Sequence, residues 1–212
     1  MTIDIWSDVR CPFCYIGKRK FEAALEKFAH KEEVSVNWHS YQLDPNLKTQ
    51  PGTSTLDYFV QEKNISREEA REMFSNVEKM AAETGLEMDP NISVVANSFK
   101  AHLLIQLAKE KDRVAELKEE LFKAHFSEGK NIDDEKTLLE IATSAGLDRE
   151  EAQKALNSEE YAYAVKQDEM HAQQIGVRGV PFFVFENKYG VSGAQPSETF
   201  LEVMEKAWSE KN

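Results

Sequence analysis

The sequence predicts an α/β fold whose sheet is assembled from the two ends of the chain and interrupted by a large all-helical insertion. Three observations carry this. Residues 2 to 7 alternate apolar and polar positions and lead into Cys11-Pro12-Phe13-Cys14; a compact apolar run with a turn signal follows Gly179; and between them lie about 120 residues with almost no strand signal.

The 212 residues, 41% hydrophobic and 30% charged, are enough for a full core, and the apolar stretches are short and periodic. The opening MTIDIWSD has no basic flank leading into an apolar stretch, so no secretory signal is read and a cytoplasmic protein is expected. A net charge of -12 repels phosphate backbones and anionic lipid, so neither nucleic acid nor membrane is an expected partner.

Residues 2 to 7 form the first expected strand. A helix follows the cysteines, because Tyr15, Ile16, Phe21, Ala24, Leu25 and Phe28 recur at helical spacing and Pro12 suits a first turn. Val34 to Tyr41 reads as a second strand, on which Trp38, His39 and Tyr41 face alternate sides and need no functional explanation. Strand, CxxC, helix and strand are the opening of a thioredoxin-like unit.

From Ser54 to Gly176 a succession of amphipathic helices is expected. Ser66-Arg67-Glu68-Glu69 is a capping box, and further helices fit Val94 to Lys111, Arg113 to Ser127, Asp133 to Ala145, Arg149 to Leu156 and Glu159 to Ile175. Strand character returns at Pro181-Phe-Phe-Val-Phe185. Glu186-Asn187-Lys188 supplies a turn, Tyr189 to Ser192 a partner strand, and Ser197 caps a last helix. Neither flanking piece could bury its strands alone. Residues 1-53 plus 177-212 are therefore expected to form one discontinuous thioredoxin-like domain, with 54-176 as the helical insertion and connecting helices.

The chain has only two cysteines, which cannot build a structural disulfide framework, and no histidine pair completes a zinc site, so no metal is expected. The pair reads as catalytic. A thiol must ionise to attack a disulfide, and a helix N-terminus stabilises the thiolate. With Pro12 as first helical residue, Cys11 falls at the cap and Cys14 one turn inward. Cys11 is thus the expected nucleophile and Cys14 the resolving thiol, with Arg10 adding positive charge. Val180-Pro181 opens the later strand, where a proline without an N–H belongs.

Ser7-Asp8 before Cys11-Pro12-Phe13-Cys14-Tyr15-Ile16-Gly17-Lys18 is joined by Ala101-His102-Leu103, Leu121-Phe-Lys-Ala-His-Phe126, Gly146-Leu147-Asp148, Gly176-Val-Arg-Gly-Val-Pro-Phe-Phe183 and Ser192-Gly193-Ala194-Gln195. On these segments the chain resembles the cytoplasmic, FrnE-like dithiol-disulfide oxidoreductases of the DsbA-like superfamily. The resemblance implies a cis Pro181 against the cysteine pair, a Val180 backbone free to pair with an extended substrate, and thiol-disulfide oxidoreductase or disulfide isomerase activity, by disulfide exchange on proteins or low-molecular-weight thiols. No bound cofactor is implied beyond the Cys11–Cys14 disulfide, with glutathione or another small thiol as co-substrate. Phe13 departs from the family's usual tryptophan but fills the place with another large aromatic. The alternative is a kappa-class-like glutathione transferase or a 2-hydroxychromene-2-carboxylate-type isomerase, relatives that typically lack the complete pair. A noncatalytic binding or holdase protein is the third reading.

Among other candidates, Asn97 and His102 sit one turn apart and could face a cleft, although helical spacing alone produces such pairs. Ser192, Gly193 and Gln195 end the hairpin, where a loop before a helix can hold a carboxylate or a peptide backbone. No histidine separates the cysteines, so the couple is expected to be only moderately oxidising. A measured reduction potential well below the about -120 mV of the strong oxidant DsbA is the expected outcome, and one as high as that would refute it.

Overall fold

The computed structural model describes residues 1–210. The first elements in chain order are β1 (Thr2–Ser7), α1 (Pro12–Lys27), a 3-10 turn (Lys31–Glu33), β2 (Ser35–Ser40), β3 (Gln50–Ser54), α2 (Thr55–Lys63), α3 (Arg67–Ala82) and β4 (Val94–Val95). There follow α4 (Phe99–Glu110), α5 (Val114–Phe126), α6 (Glu135–Ser144), α7 (Arg149–Ala155), α8 (Glu159–Gln174), β5 (Phe182–Phe185), β6 (Tyr189–Ser192) and α9 (Ser197–Ser209). They divide into two compact units, Met1–Leu43 with Lys166–Asn212 and Asp44–Val165.

The first unit is built on a four-stranded sheet in the order β2-β1-β5-β6. β1 pairs parallel with β2 (Ile5 opposite Trp38) and antiparallel with β5 (Ile5 opposite Phe183), while β5 and β6 form the hairpin expected over Glu186 to Lys188. Glu186 and Asn187 both take left-handed conformations (φ 49 and 53), which a tight hairpin turn of this twist demands. β1 is a central strand, so the alternation of its first residues gives way to burial on both faces at Trp6 and Ser7. On one face Phe183 packs between Phe21 of α1 and Phe200 of α9, with ring centroids 5.6 and 4.6 Å away.

Trp6, Ala172 of α8 and Val177 form a second buried cluster, bordered by Tyr41, Val180, Phe182 and Val184. His39 helps to hold α8 there. Its Nε2 lies 2.8 Å from Asp4 Oδ1 and its Nδ1 2.9 Å from Asp168 Oδ1, and its ring stacks on Trp6 at 4.4 Å. Asp168 Oδ2 also accepts the Ser40 N–H at 2.9 Å. His39 therefore ties β1, β2 and α8 together, a role that alternation along β2 does not reveal.

In the second unit α4, α5, α6 and α7 pack on one another around Leu104, Leu117, Leu121, Phe122 and Leu138, all fully buried. The capping box of α3 is complete, with Ser66 Oγ accepting the Glu69 N–H and Glu69 accepting the Ser66 N–H.

Several elements differ from expectation. Val94 does not start a helix: Val94–Val95 pairs with β3, and α4 begins only at Phe99. The backbone is drawn into a loop because the Asn97 N–H donates to Thr49 Oγ1 (2.9 Å) and its side chain to the Leu47 carbonyl (2.9 Å). β3 and α2, the latter capped by Ser54 accepting the Asp57 N–H, are additional elements. Ser197 is the first residue of α9, and Pro196 stands at the cap. The unit limits fall at Leu43 and Lys166 rather than 53 and 177, because β3 pairs inside the helical unit while Asp168 and Ala172 pack on the sheet. Among the described residues no helix is long and apolar enough to cross a membrane.

Removing the Phe183 ring would leave a cavity between Phe21 and Phe200. Phe183→Ala is expected to lower the unfolding free energy by about 3–5 kcal/mol in urea titrations, and a loss under about 1 kcal/mol would show that the two helices close over the gap.

Candidate active site

The site grows out of the end of β1. Asp8 is completely buried and every polar group of its side chain is used: Oδ1 accepts the Arg10 N–H at 3.2 Å and Oδ2 the Leu43 N–H at 2.8 Å. Its carbonyl accepts the Cys11 N–H at 3.1 Å. The turn so fixed delivers Cys11 to the N-cap of α1 in an extended conformation (φ -91, ψ 113), with Pro12 as the first helical residue. There the first-turn N–H groups and the helix dipole favour a negative sulfur. Both thiols are free.

The two cysteines differ little in exposure, 4% for Cys11 and 1% for Cys14, so burial alone does not separate attacking from resolving thiol. Their surroundings do. The Cys11 sulfur lies 3.5 Å from the Val180 carbonyl, in thiol hydrogen-bonding range, against the loop before β5. Cys14 points inward. Burial pushes its thiol well above the ordinary range, and the Cys11 sulfur pushes the same way as hydrogen-bond acceptor and as charge. The Asp8 N–H and the Ser7 hydroxyl face the Cys14 sulfur and act in the opposite direction.

The Val180–Pro181 peptide bond is cis, as the resemblance implies. The Pro181 carbonyl accepts the Gly193 N–H at 2.8 Å, so the end of the hairpin and the proline loop are one piece. Gly17 of α1 makes room for them. A Cβ built on Gly17 would come within 2.9 Å of Pro181 Cγ and 3.6 Å of Ala194, closer to a rigid ring than a side chain can sit.

Cys11, Cys14, Arg10, Pro12, Phe13, Val180, Pro181, Ser192, Gly193 and Gln195 all lie in the sheet unit. Phe13 is 40% exposed beside Cys11 and offers an aromatic face. Arg10 Nη1 is buried without a hydrogen-bond partner among the described residues. The Gln195 side chain donates to the Ser192 carbonyl at 2.9 Å. Asn97 and His102 belong to the helical unit. The Asn97 amide is engaged there by the Pro45 and Leu47 carbonyls and by the Phe99 N–H, and His102 is completely buried on α4. Ser7, Asp8 and Gly17 are site members that residue-by-residue reading passes over. Their signal is positional, since they flank the cysteine pair on either side. Among the described residues no cluster of three or more histidine, cysteine or carboxylate side chains could hold a metal ion.

A model of the DSBA-like thioredoxin domain matches residues 2–205 of the chain. The protein of Bacillus subtilis (strain 168) called uncharacterized protein YwbO is 29% identical over 201 residues, covering 93% of this chain and 92% of that one. The crystal structure of a probable DsbA oxidoreductase, SCO1869 from Streptomyces coelicolor, superposes with a TM-score of 0.93 at 37% identity, covering 100% of this chain and 92% of the other. The cytosolic disulfide reductase DsbM from Pseudomonas aeruginosa shares the fold, at a TM-score of 0.70, 17% identity and 99% of both chains, and has also been solved with GSH.

Gly17→Ala tests whether the closeness of α1 to Pro181 matters. The extra methyl is expected to cost about 1–3 kcal/mol of stability by overpacking and to lower the rate of protein-disulfide reduction in the folded fraction. Parent values for both unfolding midpoint and rate would show that the proline loop is free to move away.

Proposed function

The chain belongs to the family of DSBA-like thioredoxin domains, and from that premise we propose that it is a thiol-disulfide oxidoreductase that reduces disulfides through Cys11 and Cys14. The observation that carries the reading is the place of the pair: Cys11 at the N-cap of α1, 3.5 Å from the Val180 carbonyl, with Cys14 buried one turn behind it.

The chemistry runs in two exchanges. The Cys11 thiolate attacks one sulfur of the substrate disulfide, forming a mixed disulfide and expelling the other sulfur as a thiolate. The Cys14 thiolate then attacks the Cys11 sulfur, closing Cys11–Cys14 and releasing the second substrate sulfur as a thiolate. Two electrons pass from the dithiol to the substrate, and each thiol yields its proton to solvent or to a departing thiolate. The Val180 backbone lies against the Cys11 sulfur and the exposed Phe13 ring stands in the same first turn of α1, which suits an extended segment lying beside the disulfide. In this reading Arg10, next to Cys11 in the chain, adds positive charge, and Ser192, Gly193 and Gln195, joined to Pro181 through the Gly193 N–H, extend the binding edge along the hairpin end.

A small thiol such as glutathione fits as the reductant that returns the pair to the dithiol, and the solved DsbM complex with GSH supports that choice. A reducing thiol pool makes the cytoplasm the proposed compartment. Transferase or isomerase chemistry would need one thiol only and would leave Cys14 dispensable, so one measurement separates the readings. With Cys11→Ser, reduction of a protein disulfide by the chain and glutathione is expected to fall to background. Cys14→Ser is expected to lose turnover while accumulating a covalent mixed disulfide visible by mass spectrometry. Full turnover in Cys14→Ser would refute the two-cysteine reading.

A further inference from the structure

The resolving step sets a problem that the position of Cys14 makes acute. Cys14 must attack as a thiolate, yet it is 1% exposed and desolvation opposes its charge. In the free dithiol the Cys11 sulfur accepts its proton and repels its charge as well. Once Cys11 is held in a mixed disulfide that sulfur is no longer an anion, and the charge repulsion from it disappears. What then remains around Cys14 is its burial and the groups at the end of β1.

We propose that Ser7 and Asp8 form a thiolate cradle for the resolving cysteine, in which the Ser7 hydroxyl and the Asp8 N–H donate hydrogen bonds to the Cys14 sulfur as it attacks. The proposal rests on the two-cysteine reading above and adds to it two residues with distinct parts. Ser7 is completely buried at the last position of β1, two residues past Ile5 and so on the same sheet face, the face on which Phe183 opposite Ile5 packs against Phe21 of α1; Cys14 lies two turns before Phe21 on that helix, so the Ser7 side chain is turned toward the α1 face that carries it. Asp8 is the positioning residue. Its carboxylate is gripped from two sides, by the Arg10 N–H at 3.2 Å and by the Leu43 N–H at 2.8 Å, the second coming from the loop after β2. The same residue binds the Cys11 N–H through its carbonyl at 3.1 Å. Its own N–H faces the Cys14 sulfur. One buried residue thus sets both cysteines at once, the nucleophile through its carbonyl and the resolver through its N–H.

The cradle acts on the second exchange and leaves the first alone, which makes it separable. The reduced protein is mixed with excess dithiobis(nitrobenzoate). Cys11 attacks its disulfide, forming Cys11–S–nitrobenzoate and releasing one nitrothiobenzoate; Cys14 then displaces the second, closing Cys11–Cys14. The dithiol loses two electrons and two protons in all, and each release is read by absorbance. In Ser7→Ala the first phase is expected at the parent rate. Loss of one charge-assisted hydrogen bond, partly offset by the greater nucleophilicity of a more basic thiolate, slows the second about three- to tenfold at neutral pH.

The pH profile carries the decision. Removing a donor to the thiolate raises the pH at which Cys14 ionises, so the deficit should shrink as pH rises and be gone, or turned into a small gain by the more basic thiolate, once both proteins are ionised, while Ser7→Thr, which keeps the hydroxyl, should restore the rate. A second phase in Ser7→Ala equal to the parent's, or slowed by the same factor at every pH, would overturn the cradle and leave the two-cysteine reading standing. A parent protein that releases no second nitrothiobenzoate dependent on Cys14 would overturn both.

Discussion

The site depends on one approach, that of the first turn of α1 to the loop before β5. Cys11 gains its place facing the Val180 carbonyl only because α1 lies tight against Pro181, and Gly17 is what permits the approach. The constraint is mutual. The Pro181 carbonyl is tied to Gly193, the hairpin end thus rides with the proline loop, and the same hairpin packs under α9, which itself packs on α1. Residues from the first thirty and the last forty of the chain therefore fix one another around a single sulfur. This is why the sheet unit must be discontinuous in sequence: each half supplies one wall of the site, and neither wall has a partner without the other.

Much of that arrangement is legible in the sequence. The period-2 pattern of residues 2 to 7, Pro12 after Cys11, and Pro181 at the head of an apolar run located β1, α1 and β5, because each signal is local: strand alternation, a ring that fits a first helical turn, a proline without an N–H. What was not legible depends on distant partners. Val94 and Val95 read as helix until Thr49 and Leu47 are known to hold Asn97 out of helical geometry. In the sequence His39 is one more position on a strand, and only the approach of Asp168, far along the chain, makes it a clamp. Asp8 is the sharpest case. Its sequence neighbourhood shows an acidic residue near a helix start, which is usually a solvated cap. Its burial and its bond to Leu43 exist only once β2 lies beside β1.

The environment of Cys14 bears on which chemistry the fold was shaped for. A site that needed only one reactive thiol could fill the position behind Cys11 with a small apolar side chain, which would cost nothing in desolvation. Instead that position holds an ionisable sulfur, with polar groups of Ser7 and Asp8 facing it inside the unit. Buried polar groups are costly unless they are satisfied, and satisfying them with a second ionisable group is a poor bargain for stability. The arrangement makes sense when the sulfur must carry charge at one stage of the reaction. The donors then lower the energy of a state that is visited briefly, the attack on a mixed disulfide, more than they stabilise the resting dithiol, where the neighbouring Cys11 opposes ionisation.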